Sequence, residues 1–180
     1  DVAIAAAAAL LTLPLFMLVA LAIRLDSPGP IFFKQKRYGL DGREILVYKF
    51  RSMSVTEDGK ERFTAATRRD SRVTRVGGFI RRTSLDELPQ LFNILRGDMS
   101  FVGFRPPIPY EVAEYPDWYF RRFDSKPGLT GLWQVSGRNQ CSYEEMVCLD
   151  IEYANRRSLL LDLILLIRTV GVVISGRGAY

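Results

Sequence analysis

The chain has no histidine and only two cysteines, Cys141 and Cys148, among its 180 residues. Without histidine, Ser-His-Asp and Cys-His catalytic machinery is excluded, as is any histidine-ligated metal site. Two thiols cannot build a cysteine-only zinc site, and their spacing matches no redox motif, so they are read as free, buried thiols in a reducing compartment. Acid–base and nucleophilic chemistry must come from carboxylates, lysine, tyrosine or hydroxyls. No GxGxxG is present, and no glycine-rich loop carries a phosphate-loop lysine at the required spacing. Charge is also missing over one long stretch. Residues 2–23 contain no charged side chain at all, whereas the middle of the chain is rich in arginine.

Twenty-two apolar residues in a helix reach roughly 33 Å, about one hydrocarbon core. No basic segment precedes this run, so it does not read as a secretory signal. The chain starts at Asp1 rather than Met, which predicts that something upstream has been removed. Pro14 sits mid-run, where it deletes a helix hydrogen bond and clashes with the carbonyl of Leu10. Two readings fit: a simple span with a tolerated kink, or a helix–break–helix hairpin that enters and leaves by one leaflet. Prolines are common in spanning helices, so the residues alone favour the span. In the hairpin, the freed carbonyl of Leu10 would need a partner such as the Thr12 hydroxyl or water.

Residues 26–30, DSPGP, form a stiff connector that ends the first helix. Residues 31–50 predict a β-hairpin turning at Gly39-Leu40-Asp41-Gly42. Residues 56–70 read as a mobile polar loop, and 76–95 as helical. Ser142 and Glu145 form a capping box that opens a helix over 142–157. Residues 159–174 form an apolar helix interrupted by Asp162 and Arg168, suited to lying against membrane or core rather than crossing it.

The densest chemistry lies in residues 81–107, RRTSLDELPQLFNILRGDMSFVGFRPP. Ser84 and Glu87 fit a capping box, and Asp86 could itself be an N-cap, with Pro89 in the first turn. An acidic pair at a helix start is often only a cap. Here Arg68, Arg69, Arg72, Arg75, Arg81 and Arg82 precede it and Arg96 and Arg105 follow. A helix start among guanidiniums suits phosphate. A carboxylate kept ionised there can attack phosphorus if a hard cation, Mg²⁺ or Mn²⁺, shields the incoming phosphate. Asp98, after Gly97, reads as a turn residue rather than a ligand. Residues 126–139, KPGLTGLWQVSGRN, carry glycines that allow close backbone approach to a ligand. The net charge of +5 favours nucleic acid, acidic lipid headgroups or phosphorylated substrates without choosing among them.

In order along the chain stand the apolar helix with its central proline, SPGPIFFKQKRYG, YKFRSM, RVTRVGGFIRRTSLDELPQLFNILRGDMSFVG, KPGLTGLWQVSGRN and LDIEYANRRSLLLDL. This series resembles the bacterial sugar transferases, the monotopic polyprenyl-phosphate phosphoglycosyl transferases, over essentially the whole chain. The resemblance implies an α+β, mostly helical fold. Residues 1–25 would be a re-entrant membrane hairpin, reversing the span favoured by the residues alone, and residues 26–180 a catalytic domain at the cytoplasmic face of the bacterial inner membrane. It further implies a ping-pong reaction with Mg²⁺. Asp86 attacks the β-phosphate of a UDP-sugar, UMP leaves, and undecaprenyl phosphate takes the phosphosugar from the aspartate. Glu87 assists, Asp86 touches the metal, and Arg81 and Arg105 stand near the phosphates. Arg51, Thr130, Gly131 and Arg138 are carried over as further substrate-contact candidates. UDP-sugar, undecaprenyl phosphate and membrane lipid are the expected partners; nucleic acid is not expected, and a homo-oligomer stays open. The sequence departs from the family where Gly103-Phe104-Arg105-Pro106 replaces Gly-Pro-Arg-Pro, and where Leu13 replaces a frequent serine. Its final SGRGAY is similar to exopolysaccharide-type members, whose catalytic region follows further membrane helices. A competing reading is a non-enzymatic, membrane-anchored basic module for acidic lipid or nucleic acid; it leaves the acidic pair and the glycine segments unexplained. A transferase moving the hexose without its phosphate would release UDP instead of UMP.

Overall fold

The computed structural model describes residues 1–54, 70–137 and 141–175. The helical expectation holds, with one small antiparallel hairpin. Helix α1 is Val2–Asp26. Strands β1 (Phe32–Tyr38) and β2 (Glu44–Phe50) pair antiparallel, Phe32 opposite Phe50 and Tyr38 opposite Glu44. Their turn lies at the expected Gly39–Gly42, with Asp41 and Gly42 both at positive φ. Helices α2 (Arg75–Arg82) and α3 (Leu91–Leu95) are separated by a 3-10 turn, Leu85–Gln90. Strand β3 (Ser100–Val102) and helix α4 (Pro109–Val112) follow, then a 3-10 stretch, Asp117–Asp124. Strand β4 (Gly128–Thr130) runs parallel to β3, and α5 (Leu132–Ser136), α6 (Tyr143–Arg156) and α7 (Leu159–Ser175) complete the chain.

Several expectations are corrected. The helical stretch over 76–95 is not one helix: Ser84 takes a left-handed conformation (φ 57, ψ 15) that stops α2 and starts the 3-10 turn. Ser84 therefore makes no side-chain cap, and only its carbonyl receives the Glu87 N–H. Asp86 lies inside the turn rather than at a cap position. The cap at α6 is as expected, with Ser142 Oγ accepting from Glu145 N–H and Ser142 N–H donating to Glu145 Oε2 at 2.7 Å. The thiols are free but not buried, since Cys148 is exposed and Cys141 half-buried. The expected loop at 56–70 falls almost wholly outside the described residues.

Helix α1 is the longest element and runs unbroken through Pro14. Alanine-rich turns favour this, because alanine loses no side-chain entropy in a helix. The Thr12 hydroxyl bonds the carbonyl of Ala8 at 2.7 Å, not that of Leu10. By length and composition α1 is apolar enough to cross a membrane, and only 11% of its most apolar window is buried. The buried side is informative. Asp1 Oδ2 accepts from Ser100 Oγ at 2.7 Å, and Ala5 is enclosed by Val47, Leu91, Ile94 and Met99. Further along, Val19 and Ile23 pack with Phe50 and Ile80, and Asp26 Oδ2 accepts from the Val76 N–H. Both ends of α1 thus touch the same folded body.

Candidate active site

The acidic pair is placed by a buried asparagine. Asn93, in α3 and fully buried, accepts from Tyr48 N–H (3.1 Å) and donates to the carbonyl of Leu46 (2.7 Å). Its amide completes the open hydrogen-bonding edge of β2, satisfying backbone groups that burial would otherwise leave unpaired. This pins the turn Leu85–Gln90 beside the strand. Lys49 of β2 then meets Glu87, Nζ to Oε1 2.5 Å, with the two side chains 25% and 32% exposed.

The two carboxyls have opposite electrostatic fates. Burial pushes Asp86 up to about 6, with the charge of Glu87 adding to the effect and Lys49 and Arg81 opposing it. Burial would also raise Glu87, but Lys49 by charge and hydrogen bond, then Arg105 and Arg37 by charge, bring it below its ordinary value. Charge is therefore divided around the pair, with Arg81 acting on Asp86 and Arg105 on Glu87. Glu87 stays an anchored anion. Asp86 is an ionised but poorly paired carboxylate near neutral pH, more basic than usual and so a better nucleophile and metal ligand.

Arg81 comes from the last turn of α2, and Arg105 is the one exposed side chain in the otherwise buried loop 103–108 after β3. That loop is held from beneath by β1. Arg37, buried, donates from Nη1 to the carbonyl of Pro106 (2.5 Å), and the Tyr38 N–H donates to that of Pro107 (3.0 Å). Burial and the neighbouring Arg105 charge pull Arg37 down to about 10. Lys49 and Arg37 were missed by sequence reasoning. The available signal was a cation at an inward position of a β-strand, Arg37 in KQKRYG and Lys49 in YKFRSM.

The other candidates stand elsewhere. Arg51 is buried and gives its guanidinium to Pro30 O, Ser27 Oγ and Ser27 O, which ties down the connector after α1. Thr130 is buried with its hydroxyl 2.7 Å from that of Thr169. Gly131 and Gly128 lie against Gly103: a Cβ on Gly128 would come 2.1 Å from Gly103 N, and one on Gly131 2.2 Å from Gly103 O. These glycines thus permit backbone-on-backbone packing between β3 and β4 rather than approach to a ligand. Arg138, Arg68 and Arg69 lie outside the described residues. Asp98 pairs with Arg96 at 3.2 Å beside Gly97 at positive φ, as a turn residue would.

Among the described residues, no three acidic or cysteine side chains gather as a metal cage. Two adjacent carboxyls do suit Mg²⁺, a hard ion that keeps several waters and binds through one or two carboxylates plus substrate phosphates. Asp86, less well paired than Glu87, is the oxygen donor left for such an ion.

The profile of the bacterial sugar transferases matches residues 1–176. The UDP-glucose:undecaprenyl-phosphate glucose-1-phosphate transferase of Xanthomonas campestris pv. campestris is 42% identical across 93% of this chain and 36% of its own length. The galactosyl transferase CpsE of Streptococcus agalactiae serotype III is 44% identical across 87% of this chain and 37% of its own length. The exopolysaccharide production protein ExoY of Rhizobium meliloti is 40% identical across 100% of this chain and 86% of its own length. The chain thus spans little more than a third of the first two relatives and most of the third. With a family match along nearly its whole length and the acidic pair of the family motif set among cations, this chain belongs to the bacterial sugar transferase family.

Proposed function

We propose that the chain transfers a hexose-1-phosphate from a UDP-sugar to undecaprenyl phosphate through a phosphosugar–aspartate on Asp86, at the cytoplasmic face of the bacterial inner membrane. The observation that carries this reading is the asymmetry of the pair, with Asp86 raised to about 6 and Glu87 anchored on Lys49. A cap or a surface lipid clamp has no need of a half-buried, underpaired carboxylate. An Asp86 oxygen forms a bond to the β-phosphorus as the bridging bond to the α-phosphate breaks, and UMP leaves with that electron pair. A phosphate oxygen of the polyprenyl acceptor then attacks the same phosphorus and the aspartate departs. Arg81 and Arg105 orient the diphosphate and stabilise the charge that develops on its oxygens. Glu87 holds Lys49 in place and is the group that orients the acceptor phosphate. A Mg²⁺ bound by Asp86 and the diphosphate would neutralise anionic charge at the reacting phosphorus. The names of relatives support both substrates.

The same reading covers the membrane. Unbroken, α1 holds its ends roughly 37 Å apart, and both ends meet one body, Asp1 bonding Ser100 and Asp26 bonding Val76. Helix α1 is therefore taken to lie along the membrane face within a single leaflet, its exposed apolar side, Leu10 (75% exposed) and Leu11 (82%) included, turned to the lipid. The exposed Leu159, Leu160, Leu163 and Ile167 of α7 supply a second apolar surface for the same leaflet.

The test is a burst. Given UDP-glucose or UDP-galactose and Mg²⁺ without lipid acceptor, the protein should release one equivalent of UMP and gain the mass of a phosphosugar on the peptide containing Asp86. UDP as the product would point to hexose transfer instead, and a strict need for both substrates would point to direct transfer.

A further inference from the structure

A second buried guanidinium holds the Arg105 loop, and the transfer chemistry does not use it. Arg122, from the 3-10 stretch Asp117–Asp124, is 1% exposed and paired with Asp150 of α6, itself wholly buried. Its Nη2 also donates to the carbonyl of Arg105 at 3.1 Å, and its Nη1 to Tyr115 Oη at 2.7 Å. The Tyr115 hydroxyl in turn meets that of Tyr143 at 2.5 Å. The guanidinium stacks over Phe104, 5.5 Å from the ring centroid. Phe104 is the residue that replaces the family's proline before Arg105, and it is completely buried against Phe123.

This is an expensive way to fill a core. Burial pushes the Asp150 carboxyl up to about 7 against the pull of Arg122 and of the Arg105 backbone N–H, and Arg122 Nε has no hydrogen-bond partner. Apolar residues of similar volume commonly replace such a pair without loss of stability. What the pair does that apolar residues cannot is grip a backbone carbonyl. With Arg37 on Pro106 O and Arg122 on Arg105 O, two consecutive carbonyls are held by two buried guanidiniums from different elements. The side chain between them, Arg105, projects into solvent and feels the charges of Glu87 and Arg37. Like charges at Arg37 and Arg105 would drive a loose loop apart, so its position has to be enforced.

We infer that Arg122 and Asp150 are positioning residues that fix Arg105 for the diphosphate of the nucleotide sugar. The inference rests on the transfer reading above. It also gives Phe104 a task, as the stacking surface that takes the place of the proline's rigidity.

A double-mutant cycle tests it, with UMP release from whichever of UDP-glucose and UDP-galactose the protein takes as the readout and thermal unfolding alongside. Arg105→Ala should lower kcat/KM by about 100-fold, as expected for losing a charged contact to phosphate. Asp150→Asn should lower it by about 10-fold, chiefly through KM. In the Arg105→Ala background, Asp150→Asn should cost nothing further, because there is no longer an arginine to position. A tenfold loss in both backgrounds would overturn the inference and make the pair merely structural. If Asp150→Asn does not fold, the same cycle run with Tyr115→Phe, which removes one support of Arg122, is read in the same way. Absence of UMP release by the unmodified protein from both UDP-glucose and UDP-galactose would overturn the transfer reading itself, and the inference with it. That result differs from an active parent with additive variants.

Discussion

Replacing Asp86 by asparagine should abolish transfer and, at the same time, stabilise the protein. An aspartate raised from 3.8 to about 6 disfavours the ionised folded state by roughly 3 kcal/mol at neutral pH. Asp86 keeps part of its surface in water and shares Lys49 with Glu87, so about 1 kcal/mol should survive as a measurable gain. In a chain of this length that corresponds to a rise of about 2–4 °C in Tm. The sign follows from linkage. The folded pKa lies above the unfolded one, so the penalty is absent below about pH 4, where both states are protonated, and develops fully as pH rises through about 6. The stabilisation of Asp86→Asn should therefore be present at about pH 7.5 and vanish by about pH 4. Thermal melts of parent and variant in the same detergent or nanodisc, across that range, measure it directly. Activity of the parent should fall as pH drops through about 6, where the nucleophile takes up its proton. Transfer by the variant should fall by more than about 10³-fold. A lower Tm for the variant at neutral pH would make Asp86 a stabilising cap. Retention of a tenth of the activity would remove it as the nucleophile.

Lys49→Gln leaves Glu87 half-buried without its partner, so kcat/KM should drop by about 10²-fold and Glu87 should titrate at higher pH; an unchanged pH profile would contradict the pairing. Gly128→Ala drives a Cβ to 2.1 Å from Gly103 N and should cost about 3 kcal/mol, a Tm loss of about 6–12 °C. Gly171→Ala, with nothing within 4 Å of its Cβ, should be neutral or mildly stabilising in α7. Cysteines placed at Asp1 and Ser27, in a background lacking Cys141 and Cys148, should both resist an impermeant thiol reagent outside intact cells. External labelling at position 1 would instead stand α1 across the membrane.

Much of this protein was decided locally. The charge-free run of residues 2–23 makes a long helix because nothing in it prefers water, and Gly39–Gly42 turns the hairpin because Asp41 and Gly42 take positive φ. Ser142 and Glu145 cap α6 because their partners lie three residues away. The acidic pair is covalently adjacent, so its identity as a candidate site could be read from the sequence. The stop between α2 and the 3-10 turn could not, since Ser84 gives no local sign of a left-handed conformation. Nor could the pairing of Lys49 with Glu87 across 38 residues, which depends on Asn93 completing the edge of β2. Whether KPGLTG approached a ligand or a backbone was settled only when Gly103 arrived against Gly128 and Gly131. Where charge acts at short range through a half-dry interior, position rather than residue type sets the chemistry. Which of two neighbouring carboxyls is anchored and which is left reactive was therefore a decision of the tertiary structure.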